Sequence, residues 1–167
     1  MYCGHLQYNI TLSTGDFSNA FNNRRTLITS EFNHPNVTNM AYAYSDCNNH
    51  AGHILALEEA KKHCDYLIVA LNTHPDGKQP VQSVFERYTQ LCAVKWVNRV
   101  IPYQGGEDLE KLASVLDYQA RFLGEDYTDR EWDGKVQEQV RNIKPFFVSR
   151  KHGFSSTELK ERIRINN

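Results

Sequence analysis

Two histidines flanking an alanine and a glycine are the first residues whose types and spacing could do chemistry. His50 and His53 stand three residues apart at the head of an apolar-periodic run, with Gly52 between them. Side chains at i and i+3 share a helix face, so both rings would project from one side of a first turn. Gly52 lets a ligand approach the backbone, and a helix N-terminus offers N–H groups and positive potential. The pattern therefore fits a cradle for a polyphosphate.

Two other interpretations of these histidines stay open. They could simply begin a helix and have no special role. They could also ligate a metal, because Cys47, His50 and His53 follow one another at intervals of three. Zinc normally takes a fourth ligand from a recognisable second pair, and no such pair stands at a suitable spacing. We therefore expect no metal site built from protein side chains.

A second candidate phosphate site lies near the end of the chain. Arg150 and Lys151 end a predicted strand, and Gly153 permits a tight turn. Hydroxyl groups and N–H groups at the helix start that follows would suit a phosphate, and the two cations would reinforce them. The alternative is an ordinary helix cap with solvated basic neighbours. The hydroxyl residues in question are Ser155, Ser156 and Thr157.

Two further stretches are weaker signals. Lys78 lies in a Pro- and Gly-containing loop after a predicted strand, and Arg87 lies in the next helix. A lysine in such a loop can cover phosphates, although a solvated loop lysine is commoner. At 124–127 the sequence reads GEDY, where the carboxylate of Asp126 and the ring of Tyr127 could meet a ribose or a base.

The elements that must position these residues alternate between strands and helices, which predicts an α/β domain with a mainly parallel sheet and right-handed crossovers. In such sheets, ligands bind beyond the carboxyl ends of the strands. Periodicity and turn signals predict strands at 39–46, 65–71, 99–103, 120–124 and 146–150, and helices at 50–64, 84–97, 109–118, 129–143 and 155–165.

Composition limits the function classes. A chain of 167 residues fits one domain, and its formal net charge of −1 excludes a general electrostatic surface for nucleic acid or anionic membrane. No apolar run reaches the length of a membrane span. Residues 1–39 are rich in Asn, Ser and Thr with little periodicity, so we expect an N-terminal extension of unknown role ahead of a domain at 40–167.

The 4 cysteines have no CxxC spacing. We expect them to be reduced thiols, and the protein to be cytoplasmic.

Four blocks resemble the HxGH nucleotidyltransferase superfamily in their order and spacing. HAGH at 50–53 matches the motif that names the superfamily, and FERYTQLCAVKWVNRVIP at 85–102 resembles its arginine-containing helix and next strand. GEDY at 124–127 and RKHGFSST at 150–157 resemble two later motifs. The last of these is similar to the R-x-x-G-x-S-T-T signature of the cytidylyltransferase branch, which includes glycerol-3-phosphate cytidylyltransferases. The resemblance implies a Rossmann-like three-layer fold.

The resemblance also implies a reaction, in which a phosphomonoester oxygen attacks the α-phosphorus of CTP and pyrophosphate leaves. It implies Mg²⁺ travelling with the triphosphate, a small glycerol-3-phosphate-like acceptor and a homodimer. Catalytic roles would fall to His50, His53, Lys78 and Arg150. Nucleotide-binding roles would fall to Asp46, Gly52, Arg87, Gly124, Asp126, Tyr127, Ser155, Ser156 and Thr157.

Some positions favour alternatives. The stretches at 77–87 and 124–131 also resemble heptose-phosphate adenylyltransferases, so ATP and a sugar phosphate stay open as substrates. Relatives keep an aspartate three residues before the first motif histidine, where this chain has Cys47; a one-residue insertion would bring Asp46 there instead. That departure leaves open a relative that binds nucleotide with weakened catalysis.

Overall fold

A parallel sheet forms the centre of the part of the chain that the structure describes. The computed structural model describes residues 40–45, 50–75, 80–149 and 153–166. Its strands are β1 (Met40–Ser45), β2 (Tyr66–Asn72), β3 (Arg99–Tyr103), β4 (Ala120–Gly124) and β5 (Lys144–Val148). They pair in the order β3-β2-β1-β4-β5, and each of these pairings is parallel. The predicted α/β class with a mainly parallel sheet is confirmed.

Helices connect and follow the strands. They are α1 (Ala51–Lys61), α2 (Val84–Cys92), α3 (Gly105–Val115), α4 (Lys135–Val140) and α5 (Ser156–Ile165), with a 3-10 turn at Glu125–Tyr127. Within the described ranges, no helix is long and apolar enough to cross a membrane. The boundary predicted between residues 39 and 40 stays a prediction, because residues 1–39 lie outside the described residues.

Two apolar clusters lie on opposite faces of the sheet and give the fold three layers. Alternate residues of β2 point to opposite faces, so Leu67, Val69 and Leu71 join one cluster while Ile68 and Ala70 join the other. The first face is covered by side chains of α1 and α2, and the second by side chains of α3. Because both faces are buried, β2 is a nearly continuous apolar run, as expected of a central parallel strand.

The strand order places a topological switch point at β1. The chain adds β2 and β3 on one side of β1, then returns to add β4 and β5 on the other side. Crossovers from β1 and from β4 therefore leave in opposite directions, and a crevice opens beyond the carboxyl ends of these two strands. The residues that follow β1, β2, β4 and β5 are the ones that border this edge.

The helices predicted at 84–97 and 109–118 have other bounds in the structure. The helix predicted at 84–97 ends at Cys92, because the chain turns at Val94–Val97 and buries Val97 in the core. The helix predicted at 109–118 lies earlier in the chain, since α3 begins at Gly105 and ends at Val115. Asp108 supports the earlier start, because its carboxylate accepts the Gln104 N–H at 3.2 Å.

The helix predicted at 129–143 was also wrong in length, since α4 spans Lys135–Val140 alone. Gly134 has a φ of 88°, a left-handed conformation that blocks extension toward the N-terminus. The last strand was predicted at 146–150 and is found at Lys144–Val148. It includes Pro145, which has no backbone N–H to donate. The strand tolerates this proline because β5 is an edge strand that pairs only with β4.

Candidate active site

His50 and His53 form a reciprocal cap at the start of α1. His50 is the N-cap residue, and its Nδ1 accepts the N–H of Gly52 at 3.1 Å. The N–H of His50 in turn donates to Nδ1 of His53 at 3.4 Å. The ring centroids lie 4.1 Å apart with a tilt of 46°. The two imidazoles therefore sit side by side, as the i, i+3 spacing predicted, although His50 stands just before the helix rather than inside it.

The caps determine which ring nitrogens face a ligand. Because each Nδ1 accepts a backbone N–H, we assign the proton of each neutral ring to Nε2. Each ring can then present an Nε2–H donor without needing a positive charge. Two adjacent N–H donors suit oxygens of a phosphate chain, as does the positive end of the helix dipole behind them. Gly52 itself is buried beneath this cap, and its N–H is engaged by His50.

Arg87 binds the backbone where the chain leaves β2. Its side chain is 2% exposed, and its guanidinium donates from Nη1 to the Asn72 carbonyl at 2.7 Å and from Nη2 to the Thr73 carbonyl at 3.3 Å. Thr73 is fixed from the other side, because its N–H and its hydroxyl both donate to the Tyr103 carbonyl, at 2.8 and 2.9 Å. These bonds determine the direction in which the chain leaves β2. A direct nucleotide contact by Arg87 stays a prediction.

The exit of β4 leads into the GEDY stretch. Gly124 ends the strand in register with Val148 of β5, and the 3-10 turn follows at once. Asp126 and Tyr127 are both half-buried in this turn. The hydroxyl of Thr128 closes it by donating to the Glu125 carbonyl at 2.7 Å. The turn therefore presents an acidic and an aromatic side chain just beyond the carboxyl end of β4.

The start of α5 carries the hydroxyl residues. Ser155 is the N-cap, and its Oγ accepts the Glu158 N–H at 3.1 Å, as in one half of a capping box. Ser156 begins the helix, with Thr157 next to it. Gly153 has a φ of 70°, a left-handed conformation that glycine adopts readily. The hydroxyls thus surround a helix N-terminus that follows the last strand of the sheet.

Four predicted site residues lie outside the described residues: Asp46, Cys47, Lys78 and Arg150. Asp46 directly follows β1, Lys78 follows β2, and these two strands lie side by side. Within the ranges that are described, no group of three or more His, Cys, Asp or Glu side chains could hold a metal ion. The donors that are described at this edge are N–H and hydroxyl groups, which suit phosphate oxygens.

Some supporting residues were not predicted as part of the site. Asn72 and Thr73 are polar residues placed directly after a buried apolar strand, and that placement was a usable signal. Trp132 and Glu138 support the segment after β4, and no sequence pattern pointed to them because their partners are assembled by the fold.

Comparisons with known proteins identify the family. A model of the cytidylyltransferase-like family matches residues 49–162. Glycerol-3-phosphate cytidylyltransferase of Bacillus subtilis (strain 168) is 30% identical over 120 residues, which cover 68% of this chain and 88% of that protein. Bifunctional protein HldE of Campylobacter jejuni subsp. jejuni serotype O:6 is 33% identical over 121 residues, which cover 69% of this chain and 25% of HldE.

A solved structure supports the fold alone. It is a lipopolysaccharide core biosynthesis protein from Thermoplasma volcanium GSS1, which aligns with a TM-score of 0.51 at 24% identity and covers 66% of this chain and 93% of its own. The family model spans well over half of the chain, and its matched region contains the histidine cap, the exits of β2 and β4 and the start of α5. The chain belongs to the cytidylyltransferase-like family and is a nucleotidyltransferase.

Proposed function

We propose that the protein transfers a cytidylyl group from CTP to a small phosphomonoester of the glycerol-3-phosphate type. An oxygen of the acceptor phosphate attacks the α-phosphorus of CTP in line. The bond from that phosphorus to the bridging oxygen breaks, and pyrophosphate leaves with the electron pair. Such a reaction requires positioning and charge stabilisation more than covalent help from the protein.

The observation that carries the proposal is that Nδ1 of His50 and Nδ1 of His53 both accept backbone N–H groups at the start of α1. With both Nδ1 atoms engaged by backbone N–H groups, the Nε2–H groups of His50 and His53 are the ring donors for the α- and β-phosphates. They would bind more strongly as negative charge builds on the bridging oxygen. One such preorganised donor typically contributes about 10²- to 10³-fold in rate.

The remaining roles rest on the family resemblance and on the strand exits. Lys78 would contact the acceptor phosphate and the triphosphate, and Arg87 would aim the loop that carries it. Asp126 and Tyr127 would face the nucleoside. The β- and γ-phosphates would contact Arg150 and the hydroxyls at the start of α5. We propose that Mg²⁺ is held by triphosphate oxygens, since it prefers oxygen ligands and the described donors here are mainly N–H groups.

The resemblance of 77–87 and 124–131 to heptose-phosphate adenylyltransferases favours a second candidate, an adenylyl transfer from ATP to a sugar phosphate. Identity to HldE is similar to that to the glycerol-3-phosphate enzymes, at 33% against 30%. A relative with weakened catalysis that binds nucleotide is a third candidate, motivated by Cys47. We further propose a homodimer, which light scattering of the purified protein would test.

The discriminating experiment is pyrophosphate release with CTP or ATP, each combined with glycerol-3-phosphate, choline phosphate or a heptose phosphate. We expect the highest kcat/KM for CTP with glycerol-3-phosphate. Preference for ATP with the sugar phosphate would establish the second candidate. Nucleotide binding by calorimetry with no turnover for any pair would establish the third.

A further inference from the structure

The carboxylate of Glu138 gathers three side-chain donors in the interior. Arg121 donates from Nη1 to Oε1 at 2.7 Å, and the Tyr118 hydroxyl donates to the same oxygen at 2.6 Å. The indole Nε1–H of Trp132 donates to the other oxygen, Oε2, at 2.9 Å. Glu138 is 3% exposed and Arg121 is fully buried. Charged groups removed from water in this way need such partners, so the cluster is held in one arrangement.

The positions of these donors along the chain show which segment the cluster holds. Arg121 lies in β4, three residues before Gly124, and Trp132 lies just after the turns that follow the strand. The segment 124–131 runs between them and includes Asp126 and Tyr127. Arg121, before the segment, donates to Oε1 of Glu138, and Trp132, after the segment, donates to Oε2. The segment is therefore flanked on both sides by residues that bind one carboxylate.

Between its two ends the segment is held by turns. The N–H of Thr128 donates to the Glu125 carbonyl at 3.2 Å, and the N–H of Arg130 donates to the Tyr127 carbonyl at 3.3 Å. Such local bonds shape each turn but do not fix the turns against the sheet. The Trp132 ring adds an edge contact to Phe147 of β5, with centroids 6.2 Å apart at 78°. Trp132 thus ties the end of the segment both to Glu138 and to β5.

Glu138 is itself fixed against the rest of the fold. It lies in α4, whose N-cap Gly134 approaches α3 so closely that a Cβ there would stand 2.8 Å from Cβ of Ala113. The N–H of Ile143, the residue just before β5, donates to the Glu138 carbonyl at 2.9 Å. The carboxylate is therefore a fixed point against which the segment can be set.

We propose that Glu138 and Trp132 are positioning residues that hold segment 124–131 in place for the nucleoside. This inference rests on the proposed function, in which Asp126 and Tyr127 face the nucleoside. Loss of the Trp132 anchor lets the segment move while the histidine cap at α1 stays intact. Affinity for the nucleoside triphosphate then falls, whereas affinity for the acceptor and the turnover of the bound complex change little.

The chain offers a matched pair of variants for the test. Trp132→Phe and Tyr118→Phe each remove one hydrogen bond to Glu138, but Trp132 anchors the segment and Tyr118 does not. We expect Trp132→Phe to raise the KM for the nucleoside triphosphate about tenfold and to leave the acceptor KM within about twofold. Tyr118→Phe should leave both within about twofold. Equal effects of the two variants on nucleotide KM would overturn the proposal and leave a purely structural cluster.

A measurement on the wild-type protein keeps the test valid if Trp132→Phe does not fold. Hydrogen–deuterium exchange should show that CTP or ATP protects the backbone amides of 125–131. Calorimetric binding of the nucleotide without that protection would overturn the positioning role and leave the proposed function standing. Absence of any nucleotide binding by the wild type would instead contradict the proposed function, and the positioning role with it.

Discussion

His50 and His53 each use Nδ1 to accept a backbone N–H at the start of α1, at 3.1 and 3.4 Å. The same two side chains thus build the helix end through Nδ1. A capping box normally uses a hydroxyl or carboxylate at the N-cap and a Glu or Gln at N3. Here imidazoles take both places, and they are the two rings to which the proposed function assigns the phosphate contacts.

The contribution of the His50 cap to stability can be measured by substitution. His50→Asn places a preferred N-cap residue at the same position, and we expect a free energy of unfolding within about 0.5 kcal/mol of the wild type. His50→Ala removes the cap and should cost about 0.5–2 kcal/mol. Urea denaturation measures both. Equal stability of the alanine and asparagine variants would show that the cap contributes nothing.

Replacement of Arg87 should disturb the β2 exit. A lysine ammonium cannot reproduce the two-pronged contact of the guanidinium with two carbonyls, so Arg87→Lys should lose about 1–3 kcal/mol of stability. We also expect kcat/KM to fall, because the start of the loop that holds Lys78 is no longer fixed in position. Lys62→Ala is the control, since its ion pair with Glu59 is exposed and such pairs contribute about 0–1 kcal/mol. Thermal unfolding and steady-state kinetics are the measurements. A fully active Arg87→Lys protein would contradict the positioning role.

The buried ion pair of Arg121 and Glu138 should be costly to break from one side. We expect Arg121→Met to destabilise the protein by about 3–5 kcal/mol, because it leaves a buried carboxylate without its cation. Replacing both partners, as Arg121→Met with Glu138→Leu, removes the charge as well and should recover part of that loss. A double-mutant cycle from urea unfolding measures the coupling. If the double variant loses more free energy of unfolding than the two single variants lose together, the expected coupling between Arg121 and Glu138 is refuted.

Stability should fall at high pH partly through Cys64. Burial raises the pKa of the Cys64 thiol to about 11, whereas the pKa of a thiol in an unfolded chain is about 8.5. The neutral thiol therefore contributes its full stabilisation below about 8.5, and that contribution is lost as the pH rises through about 11. Cys64→Ala should show a shallower loss than the wild type in urea unfolding between pH 8.5 and 10.5. Parallel pH profiles of the two proteins would argue against this linkage.

Local patterns made part of this structure predictable. The strands at 99–103 and 120–124 were predicted to the residue, because short apolar runs bounded by turn residues specify them. The contact between His50 and His53 was also predictable, since i, i+3 spacing brings side chains together without help from the rest of the fold.

Features that depend on distant partners could not be predicted. The carbonyls that Arg87 contacts lie 14 and 15 residues away along the chain, and Glu138 takes donors from 6, 17 and 20 residues away. No periodicity encodes such meetings. The short length of α4 had a local cause, but a glycine in an otherwise helical pattern does not reveal a positive φ until tertiary packing requires one.

The most direct test of the nucleotidyl transfer by the histidine cap is kcat/KM for pyrophosphate release by His53→Ala. Alanine removes the acceptor of the His50 N–H but has the highest helix propensity, so we expect the free energy of unfolding to stay within about 2 kcal/mol of the wild type. It removes the Nε2–H donor and puts no other donor in its place, so kcat/KM with CTP and glycerol-3-phosphate should fall about 10²- to 10³-fold. A folded His53→Ala protein with kcat/KM within about threefold of the wild type would contradict the assigned role of the cap.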